Sequence, residues 1–176
     1  MTVVVANRQR VRPVDVRWLR QIVGTLLAEL LQVENADLGV YLVAAPEMTR
    51  LNEKFLRHAG STDVIAFDYS AKTNLGGQRF VAAQKFRALT KQCPPSIHGE
   101  IFICVDEAVV QARRFGTSWQ SEIVRYAVHG VLHFLGLDDA HAAARRKMKR
   151  AENRLVRELA RRFSLAQLAR SAKIAA

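Results

Sequence analysis

A chain of 176 residues, 49% hydrophobic and 24% charged, has the size and composition of one ordinary soluble domain, which excludes repeat arrays, collagen-like chains and disordered segments. Its 27 Lys/Arg against 16 Asp/Glu leave a net +11 at pH 7, which makes a polyanionic partner, nucleic acid or an anionic membrane surface, a candidate to be weighed. Two cysteines, Cys93 and Cys104, are too few for a disulfide framework or a CxxC metal knuckle and favour a reducing compartment. Met1 to Ala6 is apolar but its arginines follow rather than precede it, unlike a secretory signal. The longest apolar stretch, Ile22 to Val33, is broken by Glu29 and falls short of the roughly 20 residues a bilayer span needs. A cytoplasmic protein without a membrane partner is the expectation.

In chain order, Thr2 to Ala6 is β-rich. From Val14 to Val33, apolar residues at Val16, Leu19, Ile22, Val23, Leu26, Leu27, Leu30 and Leu31 predict an amphipathic helix. Gly39 to Ala44 predicts a strand, Pro46 to Phe55 a helix with proline in its first turn, and Asp63 to Tyr69 another strand. Between Ser70 and His98 the pattern is mixed, with a Gly76-Gly77 turn, a helix around Phe80 to Leu89 and a stop at Pro94-Pro95. Gly99 to Val105 predicts a strong strand, and Asp106 an N-cap for a helix that runs through Phe115 and closes at Gly116. Ser118 or Ser121 starts the next helix, which reaches about Leu135 and ends at Gly136. After Asp138-Asp139 a last helix extends to about Leu168 on an apolar stripe of Met148, Leu155, Leu159 and Phe163.

The charge is unevenly placed: from His141 onward there are eleven Lys/Arg against Glu152 and Glu158, so this segment holds +9 of the +11. Its basic face, with Arg145, Arg146, Lys149 and Arg150, suits an RNA phosphate backbone, which binds cations without regard to sequence. The alternative is a charged outer face on a helix packed against the domain. Phe163 is the segment's single aromatic, which argues against both a base-stacking platform and a lipid-binding helix there.

The most informative stretch is His129-Gly-Val-Leu-His133-Phe-Leu-Gly136-Leu-Asp138-Asp139-Ala-His141. Histidines four apart share one helix face and can converge on one ion. A glycine after them lets the helix end in a left-handed turn, so Asp139 can swing back as a third ligand and leave a fourth position open, the layout of a catalytic zinc site. The other reading is a pair of hydrogen-bonded helix histidines. The spacing also resembles the frame of zinc peptidases, but Gly130 stands where those enzymes keep their general-base glutamate, which disfavours peptide hydrolysis.

The segment His129 to Asp138 resembles the HGxLHLxGxD signature of the bacterial YbeY family of endoribonucleases. Leu51-Asn52-Glu53-Lys54-Phe55 with Thr62-Asp63-Val64-Ile65-Ala66-Phe67 resembles the family's LNxxFR…PTDVLSF block, and Gly99 to Cys104 its GDIxIC strand. The resemblance implies an α/β fold: a single compact domain, residues 1–176, in which a small mixed sheet of about four strands packs with about five helices. It puts the metal site at the end of a central helix and makes residues 141–176 a basic C-terminal helix. It also implies a zinc-dependent, single-strand-specific endoribonuclease acting in 16S rRNA 3′-end maturation and ribosome quality control. The partners would be single-stranded RNA and the small ribosomal subunit, with one zinc ion and no nucleotide cofactor.

Three departures stand out. The family's third metal histidine falls at Asp139 by register, so the ligand is Asp139 or the nearby His141. The arginine that follows LNxxF is replaced by Leu56, with Arg57 one place later. Asp68 to His98 is longer than the family's connection and adds Lys72, Arg79, Lys85, Arg87 and Lys91.

Of the remaining candidates, Thr62-Asp63 is read as a turn, Asp138 as a cap of the last helix, His58 and His98 as exposed non-ligands, and Cys104 as a small buried hydrophobe. The expected chemistry is zinc on His129, His133 and Asp139 polarising a phosphoryl oxygen, with Arg57 facing the developing charge. The alternative function is a non-catalytic rRNA-binding assembly factor whose zinc holds the last helix to the core.

Overall fold

The computed structural model describes residues 1–70 and 95–169. Four strands form one sheet in the order β1 (Thr2–Asn7), β2 (Asn35–Val43), β4 (Ser96–Cys104), β3 (Val64–Asp68). β1 and β4 run parallel to β2, and β3 is antiparallel to β4, so the sheet is mixed. Five helices accompany it among the described residues: α1 (Val16–Thr25), α2 (Ala45–Leu51), α3 (Val105–Phe115), α4 (Trp119–Phe134) and α5 (Ala142–Arg162). The expected α/β architecture is the one observed.

Alternation along the strands divides the core between the two faces of the sheet. On one face Leu38, Val40 and Leu42 of β2, with Ile97, Ile101 and Ile103 of β4, meet Leu19, Ile22 and Val23 of α1, the apolar side of α4, and Met148, Leu155 and Leu159 of α5. On the other, Val43, Ile65, Phe67, Phe102 and Cys104 pack with Met48 of α2 and the partly buried Tyr41, Leu51 and Phe55. Cys104 is fully buried, as expected, and burial pushes its thiol up to about 11.

Several elements differ from their sequence outlines. β2 begins at Asn35 rather than Gly39 and β4 at Ser96 rather than Gly99, because Asn35-Ala36-Asp37-Leu38 and Ser96-Ile97-His98 already alternate exposed and buried. The predicted helices over 14–33 and 46–55 each finish in a π-helical turn, Leu26–Leu30 and Asn52–Leu56, the second closing on Arg57 at φ 57°. Asp106 does not cap α3, whose N-cap is Cys104; its carboxylate instead accepts the Ala45 backbone N–H at 2.7 Å and ties α3 to the start of α2. The last helix stops at Arg162 rather than near Leu168. Phe163 is extended (φ −125°, ψ 133°), its ring meets Trp18 edge-on at 5.5 Å, and a 3-10 turn over Leu165–Ala169 buries Leu168. The Gly76-Gly77 turn, the helix around Phe80 to Leu89, Cys93, Pro94 and the basic residues Lys72, Arg79, Lys85, Arg87 and Lys91 lie outside the described residues. Among the described residues no helix is long and apolar enough to cross a membrane.

Candidate metal centre

α4 starts where the Ser118 hydroxyl accepts the Ser121 N–H at 3.2 Å, and it buries Ile123, Val124, Ala127, Val128 and Val131 toward the sheet. Gly130 sets how closely it lies: a Cβ there would stand 2.8 Å from Ile101 Cδ1 and 3.0 Å from its Cγ1. The residue that departs from the peptidase pattern is therefore a packing glycine, and a larger side chain there would have to displace Ile101 of β4. Glu122, Arg125, Tyr126, His129 and His133 occupy the stripe that turns away from this contact, at the i, i+3, i+4 spacing of one helix face.

Within that stripe the Nε2 atoms of His129 and His133 approach to 3.0 Å. Gly136 at φ 81° ends the helix, with Leu137 N–H donating to the Leu132 carbonyl at 3.0 Å. Asp138 then accepts the N–H groups of Asp139 and Ala140 at 2.7 and 3.0 Å. It thus shapes the return loop and does not cap α5, whose N-cap position is His141. The loop carries Asp139 back until its Oδ2 lies 3.9 Å from His129 Nε2. One ligand atom from each of His129, His133 and Asp139 falls within 4.8 Å of the others, a set of two nitrogens and one oxygen that could hold a metal ion. Exposed His141 is not in this cluster.

The other edge of the His129 ring is held by a residue that sequence reasoning missed. Glu152 of α5, only 4% exposed, places Oε2 3.2 Å from His129 Nδ1. Its Oε1 accepts from Arg125 Nη1 at 2.5 Å and from Lys149 Nζ at 3.0 Å. Burial alone would raise this carboxyl, but the bonds from His129, Arg125 and Lys149 override it and hold the group down to about 2. An ionised Glu152 only accepts, so its bond to His129 calls for an Nδ1–H, the arrangement that leaves Nε2, on the side of His133 and Asp139, as the atom for a metal. Burial, and then the neighbouring His129, lowers His133 below its ordinary value, which keeps its ring neutral and able to donate a lone pair. The sequence does carry a signal for Glu152: it is an acid on the apolar stripe, between Met148 and Leu155, of an otherwise basic helix.

The histidines stand between two cavities. The larger, of about 830 Å³, has His129, Asp139 and Glu152 in its lining, Arg145, Arg146 and Lys149 of α5 on one side, and Gln111, Phe115 and Thr117 of the α3 end on another. The smaller, of about 100 Å³, is lined by Leu56 and residues 64–66 together with His129, Gly130 and His133.

The model of the family described as endoribonuclease YbeY matches residues 4–160. The chain belongs to the YbeY family. Curated members named endoribonuclease YbeY from Thermobifida fusca and Acidothermus cellulolyticus are each 31% identical over 156 residues, which cover 89% of this chain and 92% and 90% of theirs. The solution structure of a Thermotoga maritima protein superposes with a TM-score of 0.58 at 18% identity over 99% of both chains, a likeness of fold.

Against the YbeY pattern, Leu56 takes the place beside the histidine pair, and Arg57, which follows it, is exposed and lines neither cavity. Arg145, Arg146 and Lys149 line the larger cavity, whereas Arg150 is exposed outside it. Asp63 sits at a bend before β3, accepts from the Thr62 hydroxyl at 3.1 Å and the Val64 N–H at 3.0 Å, and also lines the larger cavity. His58 and His98 are exposed, and His98 lies 3.8 Å from Asp37.

Proposed function

We propose that this YbeY-family protein is a zinc-dependent, single-strand-specific endoribonuclease that acts in the cytoplasm on the small ribosomal subunit, in 16S rRNA 3′-end maturation and quality control. The observation that carries the reading is the convergence of His129, His133 and Asp139 within 4.8 Å, with His129 and Asp139 in the lining of a cavity that has a basic wall. That its curated relatives are named endoribonucleases supports the reaction class.

Two imidazoles and a carboxylate suit one zinc ion and leave a position for substrate. When bound, zinc polarises a phosphoryl oxygen and makes water a competent nucleophile at neutral pH. The chain's own contribution is positioning. Glu152 fixes the His129 tautomer, and Gly130 fixes the height of both histidines over β4. Arg145, Arg146 and Lys149 face phosphates across the cavity, with Arg150 extending the basic surface beyond it. Arg57 is assigned, by its place after the LNxxF block, to the charge that develops on the reacting phosphoryl group, and it would have to reach there from an exposed position next to Leu56 of the smaller cavity. The rival reading, a zinc that only fastens the last helix, is less well supported, since Glu152 already bonds α5 to His129 and Arg125 of α4 without an ion.

The test is metal content by mass spectrometry beside cleavage of a single-stranded RNA, in wild type, Asp139→Ala, His133→Ala and His141→Ala. The expected result is about one zinc per chain in the wild type, lost together with cleavage in the first two variants and kept in the third. Full cleavage by His133→Ala, or a wild type purified without chelators that holds no metal, would overturn the reading.

A further inference from the structure

The larger cavity contains two features that metal binding and phosphate contact leave unused. Phe115, the last residue of α3, is 64% exposed although it borders the same space as His129 and Asp139. The Arg114 guanidinium lies 5.5 Å from its ring centroid, so the ring is flanked by a cation and still largely open. Tyr126, one helical turn before His129, is only 5% exposed, and its hydroxyl makes no hydrogen bond among the described residues. A buried hydroxyl without a partner is costly, and this one belongs to a side chain in the cavity lining.

The two sides of the cavity are chemically different. α5 presents Arg145, Arg146 and Lys149, which suit phosphates, whereas the α3 side presents an aromatic face with Gln111 and Thr117 beside it. A nucleotide has the same division, with an anionic backbone and a flat, hydrogen-bonding base. We propose that the α3 side of this cavity is a nucleobase subsite, in which Phe115 stacks an unpaired base of the bound strand and the Tyr126 hydroxyl bonds that base's edge. The inference rests on the RNA-binding reading above and adds the part of the substrate that the basic wall does not recognise. It also gives single-strand selectivity a physical source, because a base paired and stacked in a duplex has no free face to offer Phe115.

The test is fluorescence anisotropy with a short single-stranded 2′-O-methyl oligonucleotide, shown to be intact by gel electrophoresis after incubation, beside an oligomer of equal length built of abasic units. Wild type is expected to bind the base-bearing strand about 5- to 100-fold more tightly, the range of one aromatic–base stack. Phe115→Ala, at an exposed position, should lose most of that preference while binding the abasic strand as wild type does. Tyr126→Phe keeps the ring that fills the core and should lower the preference about 2- to 10-fold, the effect of one hydrogen bond. Equal wild-type affinity for the two strands overturns the subsite and leaves the RNA-binding reading standing. Binding of neither strand overturns both. Full wild-type preference in either variant, with circular dichroism showing it folded, also overturns the subsite.

Discussion

His129 is met from two sides, and the sides are built differently. On the α5 side Glu152 is buried, with its carboxylate taken up by His129, Arg125 and Lys149. On the loop side the Asp139 side chain is 45% exposed, and the turn that carries it is held by Asp138 and by a bond from Arg145 Nε to the Asp139 carbonyl at 3.2 Å. A buried, fully bonded carboxylate fixes the orientation of a ring, whereas a half-exposed one is free to exchange water for a ligand. The centre is therefore preorganised from the helix side and closed from the loop side, so changes on the two sides should separate stability from metal binding.

The largest expected effect follows from breaking the helix side. Glu152→Ala removes the acceptor for three donors and leaves Arg125, whose side chain is only 19% exposed, with Glu122 at 3.5 Å and Asn153 at 2.8 Å. The loss should be about 3–5 kcal/mol in urea unfolding, because one partner of a buried ion pair is left behind. Zinc affinity should also fall about 10- to 100-fold, as when the outer partner of a ligand histidine is removed. A variant as stable as wild type would show that the network contributes little and that the histidine is oriented by packing alone.

A smaller effect is expected beneath the histidines. Gly130→Ala puts a methyl group against Ile101, where contacts of 2.8–3.1 Å leave no slack. Overpacking of this kind costs about 1–3 kcal/mol. Where Ile101 does not yield, α4 lifts from β4 and both histidines shift relative to Asp139, so zinc affinity should fall together with thermal stability. An unchanged melting temperature would mean that Ile101 changes rotamer at no cost.

The two sides also differ in how legible they were. α4 was readable because its apolar period, its Ser118 start and its Gly136 end all lie within one stretch of chain, and Asp139 followed from spacing through that turn. Glu152 was not, since its partners His129, Arg125 and Lys149 come together only when α5 folds onto α4. The same cause hid Asp106, which looks like a cap but bonds Ala45, and Phe115, an ordinary helix residue until the cavity beside it exists. The π-helical turns at Leu26–Leu30 and Asn52–Leu56 left no mark either, because a few residues fit both periodicities. Arg57 takes its role from a motif position alone, and the left-handed turn after the second of these leaves it exposed beside Leu56.

The smallest expected effect sharpens the contrast from the loop side. Asp139→Ala removes a half-exposed carboxylate that stands 3.9 Å from His129 Nε2, beyond hydrogen-bond distance. The contacts that shape the loop survive the change: Asp138 still accepts the two N–H groups after it, and Arg145 still reaches the backbone carbonyl at 139. Unfolding of the metal-free variant should therefore stay within about 0.5 kcal/mol of wild type, as for other surface positions. With saturating zinc the two should diverge, because an ion that binds only the folded state adds stability in proportion to the logarithm of its affinity. Urea titrations of both proteins, with chelator and with zinc, measure this. A metal-free Asp139→Ala as unstable as Glu152→Ala would mean that the return loop is held by its carboxylate after all, and the division between an orienting side and a closing side would fall.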